Sequence, residues 1–257
     1  MKILDIVDMQ YDFVMPDGAL AVPGADALVG RVNDLFTRLP RHVYDFALFK
    51  YDSHFAGEYP HSPEAQSFPD IHCEYGTKGW QLVVDYHRLE DKCPIYFMAK
   101  NTFDMWGRNP LTAGQNLEFA SEDERRAYAN LHHISGDPQC LNQGVPRDRF
   151  LRDVGGSTHV VMLGVASNFC VYDAMRGYLQ RGAKVTVLED CVAGIPLDSG
   201  TRQVLIDETG CDRTSTGDIR DIVRTPRFAA YTSSGQLVLA RYEDFVTGAH
   251  AHDDHAH

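Results

Sequence analysis

Three apolar runs in this chain end in an acid, an amine and a thiol, the side-chain types that hydrolytic chemistry uses. Lys2-Ile-Leu-Asp-Ile-Val-Asp8 reads as a short buried strand that delivers Asp8 at its end. Pro94-Ile-Tyr-Phe-Met-Ala-Lys100 reads as another, ending in a cation. The third, His159 to Val165, runs into Ala166, and a helical pattern then opens at Ser167 or Asn168, either of which fits a cap. Phe169, Tyr172, Met175 and Leu179 recur at helical spacing beyond it. Cys170 therefore falls in the first turn of a helix, where unpaired N–H groups and the helix dipole favour thiolate. Open α/β sheets place their sites at that edge. A carboxylate within reach can take the thiol proton, and an ammonium ion holds that carboxylate ionised. Taken singly, each residue also has a plain structural role: Cys170 as a small buried hydrophobe, Asp8 as a cap, Lys100 as a solvated strand end.

A second group carries metal-ligand chemistry. Asp52 and His54 follow an apolar strand, Val43–Phe49, and stand two residues apart, so on an extended segment both side chains share a face. His72 lies downstream in Phe68-Pro-Asp-Ile-His-Cys-Glu-Tyr-Gly-Thr77. A carboxylate with imidazoles suits Zn, Fe or Mn and leaves open positions for water or substrate.

Asp8-Met-Gln-Tyr-Asp-Phe13, Lys100 and Gly164-Val-Ala-Ser-Asn-Phe-Cys170 resemble the signature segments of the isochorismatase-like cysteine hydrolases. Those segments are D-x-Q-x-D-F, a lysine after the middle strand, and G-V-A-x-x-x-C-V. The likeness holds in order and spacing over 1–100 and 158–196. The metal constellation, with His72 in a segment similar to W-P-x-H-C-x-x-G-T, makes the nicotinamidase/pyrazinamidase group the nearest within the superfamily. The resemblance implies a nucleophile, Cys170, a base, Asp8, and an orienting cation, Lys100, with backbone N–H groups of Ala166 and Cys170 as the oxyanion hole. It implies a cis bond between Val165 and Ala166. It also implies one divalent metal, zinc as the first choice over Fe or Mn, held by Asp52, His54 and His72, with Glu64 or His61 as fourth ligand. Phe13 and Phe68 resemble the family's ring-packing aromatics, though ordinary core is an equal reading of both. The chain departs from the pattern at Tyr11, where relatives carry a small polar residue, at Phe68 in place of Trp, and at Ser167-Asn168 in place of Thr-Asp. Tyr11 and Phe68 bear on the substrate pocket. The implied function is deamidation of nicotinamide and similar carboxamides through a Cys170 thioester. The alternatives are a non-pyridine amide substrate (a ureido acid or a maleamate-like compound) and a catalytically silent metal-binding relative.

These residues need elements to position them. Strands at 2–8, 43–49, 94–100, 159–165 and 183–188 alternate with helices at 25–38, 79–90, 168–181 and 198–209, which predicts a three-layer α/β/α fold with a mostly parallel sheet. A single domain over 1–247 is expected. Residues 104–150 are punctuated by Gly and Pro, with a helical pattern at 121–134, and read as an inserted lid-like or interface segment. Residues 224–242 read as an antiparallel hairpin, and 248–257 as a His-rich flexible tail.

Composition narrows the class. The 257 residues are 44% hydrophobic and 23% charged, as globular chains are. A net charge of −12 without a Lys/Arg stripe argues against nucleic acid. No run approaches the roughly 20 apolar residues of a membrane span. Six cysteines without C-x-x-C pairing, and a start that enters a strand at once, fit reduced thiols and a cytoplasmic setting. A small carboxamide is the expected partner, and a homo-oligomer the expected assembly.

Overall fold

Lys2–Val7 is apolar except for Lys2 and Asp5 and forms β1. The further strands are β2 (Phe46–Asp52), β3 (Ile95–Lys100), β4 (His133–Ser135), β5 (Val145–Pro146), β6 (His159–Val165), β7 (Lys184–Ala193) and β8 (Leu237–Ala240). The computed structural model describes residues 1–111, 117–197, 214 and 216–246. Among these, the strands form one sheet in the order β5-β4-β3-β2-β1-β6-β7-β8. Every pairing from β3 across to β8 is parallel; β4 and β5 extend the β3 edge antiparallel. The near-continuous burial of β1, β2 and β6 is what a sheet covered on both faces requires. From β1 the chain builds outward through β2 and β3, then crosses back to β6 on the other side. The strand order thus reverses at β1, and the crevice beyond its carboxyl end is where such sheets bind ligands.

The helices among the described residues are α1 (Tyr11–Val14), α2 (Leu28–Arg38), α3 (Glu122–Ala129), α4 (Arg147–Phe150), α5 (Cys170–Gln180), α6 (Ile219–Val223), α7 (Ala229–Ser233) and α8 (Tyr242–Val246). Phe49 and Lys50 are consecutive in β2, so they face opposite sides of the sheet. Amphipathic α2 buries Leu28, Val32, Leu35 and Phe36, and the Phe36 ring packs 5.9 Å from that of Phe49. On the other face, Lys50 donates to Asp5 at 2.7 Å in a fully buried ion pair and touches Met105 Sδ at 3.2 Å. Trp106, next along, packs 5.0 Å from Tyr178 of α5 and lies under the Arg181 guanidinium. A Cβ at Gly177 would run into the Trp106 indole, so glycine is what lets this strap sit on α5. Gly164, at φ +117°, likewise lets β6 approach the Val7 carbonyl just before the Val165–Ala166 bond, which is cis.

The architecture is the expected α/β one with a mostly parallel sheet, and several boundaries differ. The helix expected at 79–90 is reduced to a single 3-10 turn, Tyr86–Leu89, because the segment before it pairs with the motif after β1: Val83 N donates to Met9 O and Tyr11 N to Gln81 O. The hairpin expected at 224–242 is absent. Its first half is helical (α7), and its second half is β8, parallel to β7. The helical pattern at 121–134 yields α3 alone, capped by Ser121 Oγ on Glu124 N, before the chain turns into β4. Residues 104–150 thus supply a strap over α5 and two edge strands. The five described cysteines are free and buried. Among the described residues, no helix is long and apolar enough to cross a membrane. The helix expected at 198–209, Cys211 and the His-rich tail lie outside the described residues.

Candidate active site and metal centre

The ends of β1, β3 and β6 converge. Lys100 is the last residue of β3, and its Nζ lies 2.8 Å from Asp8 Oδ2 and 3.4 Å from Cys170 Sγ. All three residues are buried. Cys170 opens α5, one or two residues later than a Ser167 or Asn168 cap would place the start. Those two side chains have other duties: Ser167 Oγ donates to Gly217 O, and Asn168 exchanges two hydrogen bonds with the Ile195 backbone. They tie the loop beyond β7 to the nucleophile's turn.

Burial decides the resting protonation here. It raises the Asp8 carboxyl above its ordinary range, and the Lys100 charge offsets only part of that rise. Burial, with Asp8 as the next cause, pushes the Cys170 thiol well up against the pull of Lys100. The helix start favours thiolate, whereas burial and the Asp8 charge favour the thiol. The group rests as a thiol beside a carboxyl of raised affinity for protons, and such a pair can pass one proton in either direction.

A second cluster adjoins the first. Asp52 ends β2, His54 follows it, Glu64 sits in a 3-10 turn (Pro63–Gln66) capped by Ser62, and His72 comes from the loop beyond. Ligand atoms of these four residues lie within 4.8 Å of one another, all buried. His54 Nε2 is 3.4 Å from Asp52 Oδ2 and 3.3 Å from Glu64 Oε2; His72 Nε2 is 3.5 Å and 3.8 Å from the same two oxygens. Asp52 Oδ2, both Glu64 oxygens and both inward Nε2 atoms lack a hydrogen-bond partner. So many orphaned polar atoms in one buried place are costly unless a cation gathers them. Two carboxylate and two imidazole donors fit a divalent ion such as zinc. Of the two candidates for a fourth ligand, Glu64 lies in this buried set and His61 is exposed. Lys100 joins the two clusters, with Nζ 3.5 Å from Asp52 Oδ1. Burial opposes ionisation of Asp52, but Lys100 and His54 together hold its carboxyl well below the usual range.

The motif Asp8-x-Gln-x-Asp-Phe13 proves to be a positioning device as well as the source of Asp8. Gln10 holds the Asp52 backbone through both ends of its amide, accepting Asp52 N at 2.7 Å and donating to Asp52 O at 2.8 Å. Asp12 accepts Cys73 N at 2.8 Å, fixing the residue after His72. The Phe13 ring packs 5.4 Å from His72. Sequence reasoning gave Gln10 and Asp12 no role; their place in the motif was the available signal.

Aromatic rings span from the metal-type cluster to the nucleophile's turn. Phe68 lies 6.2 Å from His72, 5.5 Å from Phe169 and 6.1 Å from Phe103, and Phe103 lies 5.2 Å from Phe169. Phe103 had not been singled out from sequence, and Phe169 only as part of the helical pattern. Tyr11 is placed differently from expectation: its hydroxyl bonds Asp17 and Lys78 in an exposed cluster, with the Lys78 ammonium over its ring. Trp106 is packed on α5, with Nε1 donating to Ala174 O at 3.3 Å.

The isochorismatase domain model matches residues 148–206. The nicotinamidase/pyrazinamidase of Mycobacterium tuberculosis is 27% identical over 203 residues, 77% of this chain and 90% of that protein. PnC1 from L. infantum, solved in complex with nicotinate, superposes with a TM-score of 0.53 at 18% identity, over 95% of this chain and 93% of that one. The pyrazinamidase of Pyrococcus horikoshii in complex with zinc gives 0.50 at 23% identity, over 93% and 98%. The fold, the domain match over 148–206 and the order of the motifs are similar to those of isochorismatase-like hydrolases. Among the curated proteins, the similarity is to a nicotinamidase/pyrazinamidase.

Proposed function

We propose that the protein is a metal-containing cysteine amidohydrolase that converts nicotinamide and related carboxamides to the acid and ammonia. The observation that carries this reading is Lys100, whose single ammonium touches Asp8, Cys170 and Asp52. A nucleophile site and a metal-type site so joined suit one small substrate held by the second and attacked by the first. The names of the M. tuberculosis relative and of the nicotinate and zinc complexes support the same substrate class.

In this reading Asp8 takes the Cys170 proton as sulfur attacks the carboxamide carbon. The backbone N–H of Cys170, in a first helical turn with no intrahelical acceptor, and that of Ala166 receive the developing oxyanion. Asp8 returns its proton to the departing nitrogen, and ammonia leaves a thioester. Water then adds to the thioester while Asp8 takes its proton; collapse releases the carboxylic acid and restores the thiol. Lys100 keeps Asp8 oriented and lowers the cost of its charge. A divalent ion held by Asp52, His54, Glu64 and His72 would offer an electron-pair acceptor to the pyridine nitrogen and so fix the ring's position. Phe13 and Phe68, with Phe103 and Phe169, would flank that ring.

The substrate class is tested by offering purified protein nicotinamide and an N-carbamoyl amino acid separately and measuring ammonia from each. The reading expects release from nicotinamide. Turnover of the carbamoyl compound alone would move the assignment to a non-pyridine amidohydrolase.

A further inference from the structure

The two histidines of the four-donor cluster are oriented alike. Each turns Nε2 inward, toward Asp52 and Glu64, and Nδ1 outward. An imidazole offers a lone pair at Nε2 only when Nδ1 carries the proton, so each Nδ1–H needs an acceptor. For His72 the outer neighbours are the Asp70 carbonyl at 3.3 Å and the Tyr59 hydroxyl at 3.2 Å. For His54 the outer neighbour is a carboxylate, Glu58, whose Oε2 stands 3.7 Å from an Nδ1 that has no hydrogen-bond partner nearer.

Glu58 is fully buried. Its Oε2 also receives the Phe55 N–H at 3.4 Å, and its Oε1 accepts from Asn101 Nδ2 at 2.9 Å. Those two are neutral donors that a neutral acceptor would satisfy equally well, so they do not account for a charge placed in the interior. His54 does, because a carboxylate behind the ring fixes its tautomer and makes Nε2 more basic. Asn101 is in turn held from the other side. Its Nδ2 donates to Asn109 Oδ1 at 3.0 Å, and its Oδ1 lies 3.4 Å from His132 Nε2. Asn109 Oδ1 also receives Leu111 N at 3.0 Å. The path from His54 through Glu58 and Asn101 thus ends in the segment that the sequence suggested was a lid, and Asn101 directly follows Lys100.

We propose that Glu58 is a positioning residue for the metal centre: it accepts the Nδ1 proton of His54, aims Nε2 at the ion, and is itself aimed by Asn101, which Asn109 and His132 hold in turn. The proposal rests on reading Asp52, His54, Glu64 and His72 as a metal site.

The test is zinc affinity of the full-length chain, measured by competition with a chromophoric chelator, for wild type, Glu58→Gln and Asn101→Ala. Glu58→Gln keeps the volume and removes the charge, and the expected loss of affinity is roughly 10- to 100-fold. Asn101→Ala leaves the charge in place and removes its orienting donor, so a smaller loss in the same direction separates aiming from plain charge attraction. The Co(II)-substituted Glu58→Gln protein is expected to show an altered visible absorption spectrum. Zinc affinity in Glu58→Gln equal to wild type would overturn the proposal while leaving the metal site intact. If Glu58→Gln does not fold, wild-type affinity in Asn101→Ala overturns it instead. A wild type that takes up no zinc removes the metal reading and the proposal together.

Discussion

Replacing Lys100 by methionine keeps the stem of the side chain and deletes one charge. The Lys100 side chain is 1% exposed, and its ammonium is 2.8 Å from Asp8 and 3.5 Å from Asp52, so it is the counter-charge for two buried carboxylates. Removing one partner of a buried pair costs about 3–5 kcal/mol, because the other charge is left uncompensated. At roughly 2–4 °C of Tm per kcal/mol for a chain of this size, the expected fall is about 6–20 °C at neutral pH. The pH dependence is the sharper test. Burial already raises Asp8 above its ordinary 3.8, and Lys100 restrains that rise. Without Lys100 the folded-state value climbs further, so the native state binds more protons than the unfolded chain between 3.8 and the new value. The variant's deficit is therefore full above the raised folded-state value and shrinks as acid neutralises Asp8. Thermal unfolding of metal-free wild type and Lys100→Met at about pH 5 and about pH 8 measures both effects. Equal Tm values for the two proteins, or a gap as wide at pH 5 as at pH 8, would refute the electrostatic account of this site.

Two other variants probe the neighbouring groups. Glu64→Ala should weaken zinc retention during dialysis against a chelator, and His61→Ala should leave it unchanged, since only Glu64 lies in the buried cluster; the reverse pattern would reassign the fourth ligand. Phe68→Ala removes ring contacts to His72, Phe103 and Phe169, and at about 0.5–1.5 kcal/mol for such packing KM for nicotinamide should rise by about 2- to 13-fold. A fall in kcat with KM unchanged would place Phe68 away from the bound ring.

Much of this site was legible in the sequence, because a parallel sheet converts strand ends into neighbours. Asp8, Lys100 and Cys170 sit 70 or more positions apart in pairs and meet because β1, β3 and β6 all point the same way. Asp52 and His54 were legible from their spacing, and His72 from the segment around it. The burial that pushes the Cys170 thiol up was not legible, because a helix start is visible in a sequence and the depth of burial around it is not. The choice of Glu64 over His61 depended on which face of two short 3-10 turns points inward, and no periodicity reports that. Tyr231-Thr-Ser-Ser-Gly235 looked like a hairpin turn between two strands, yet α7 and a single strand parallel to β7 satisfy the same pattern. Glu58 gave no signal, being one acid among 36 Asp and Glu residues.

The central claim is that Cys170 is the nucleophile of an amide hydrolysis. Ammonia release from nicotinamide by the metal-loaded protein, measured beside Cys170→Ala, addresses it most directly. The account predicts release by the wild type and none by the folded variant. Undiminished release by Cys170→Ala would contradict it.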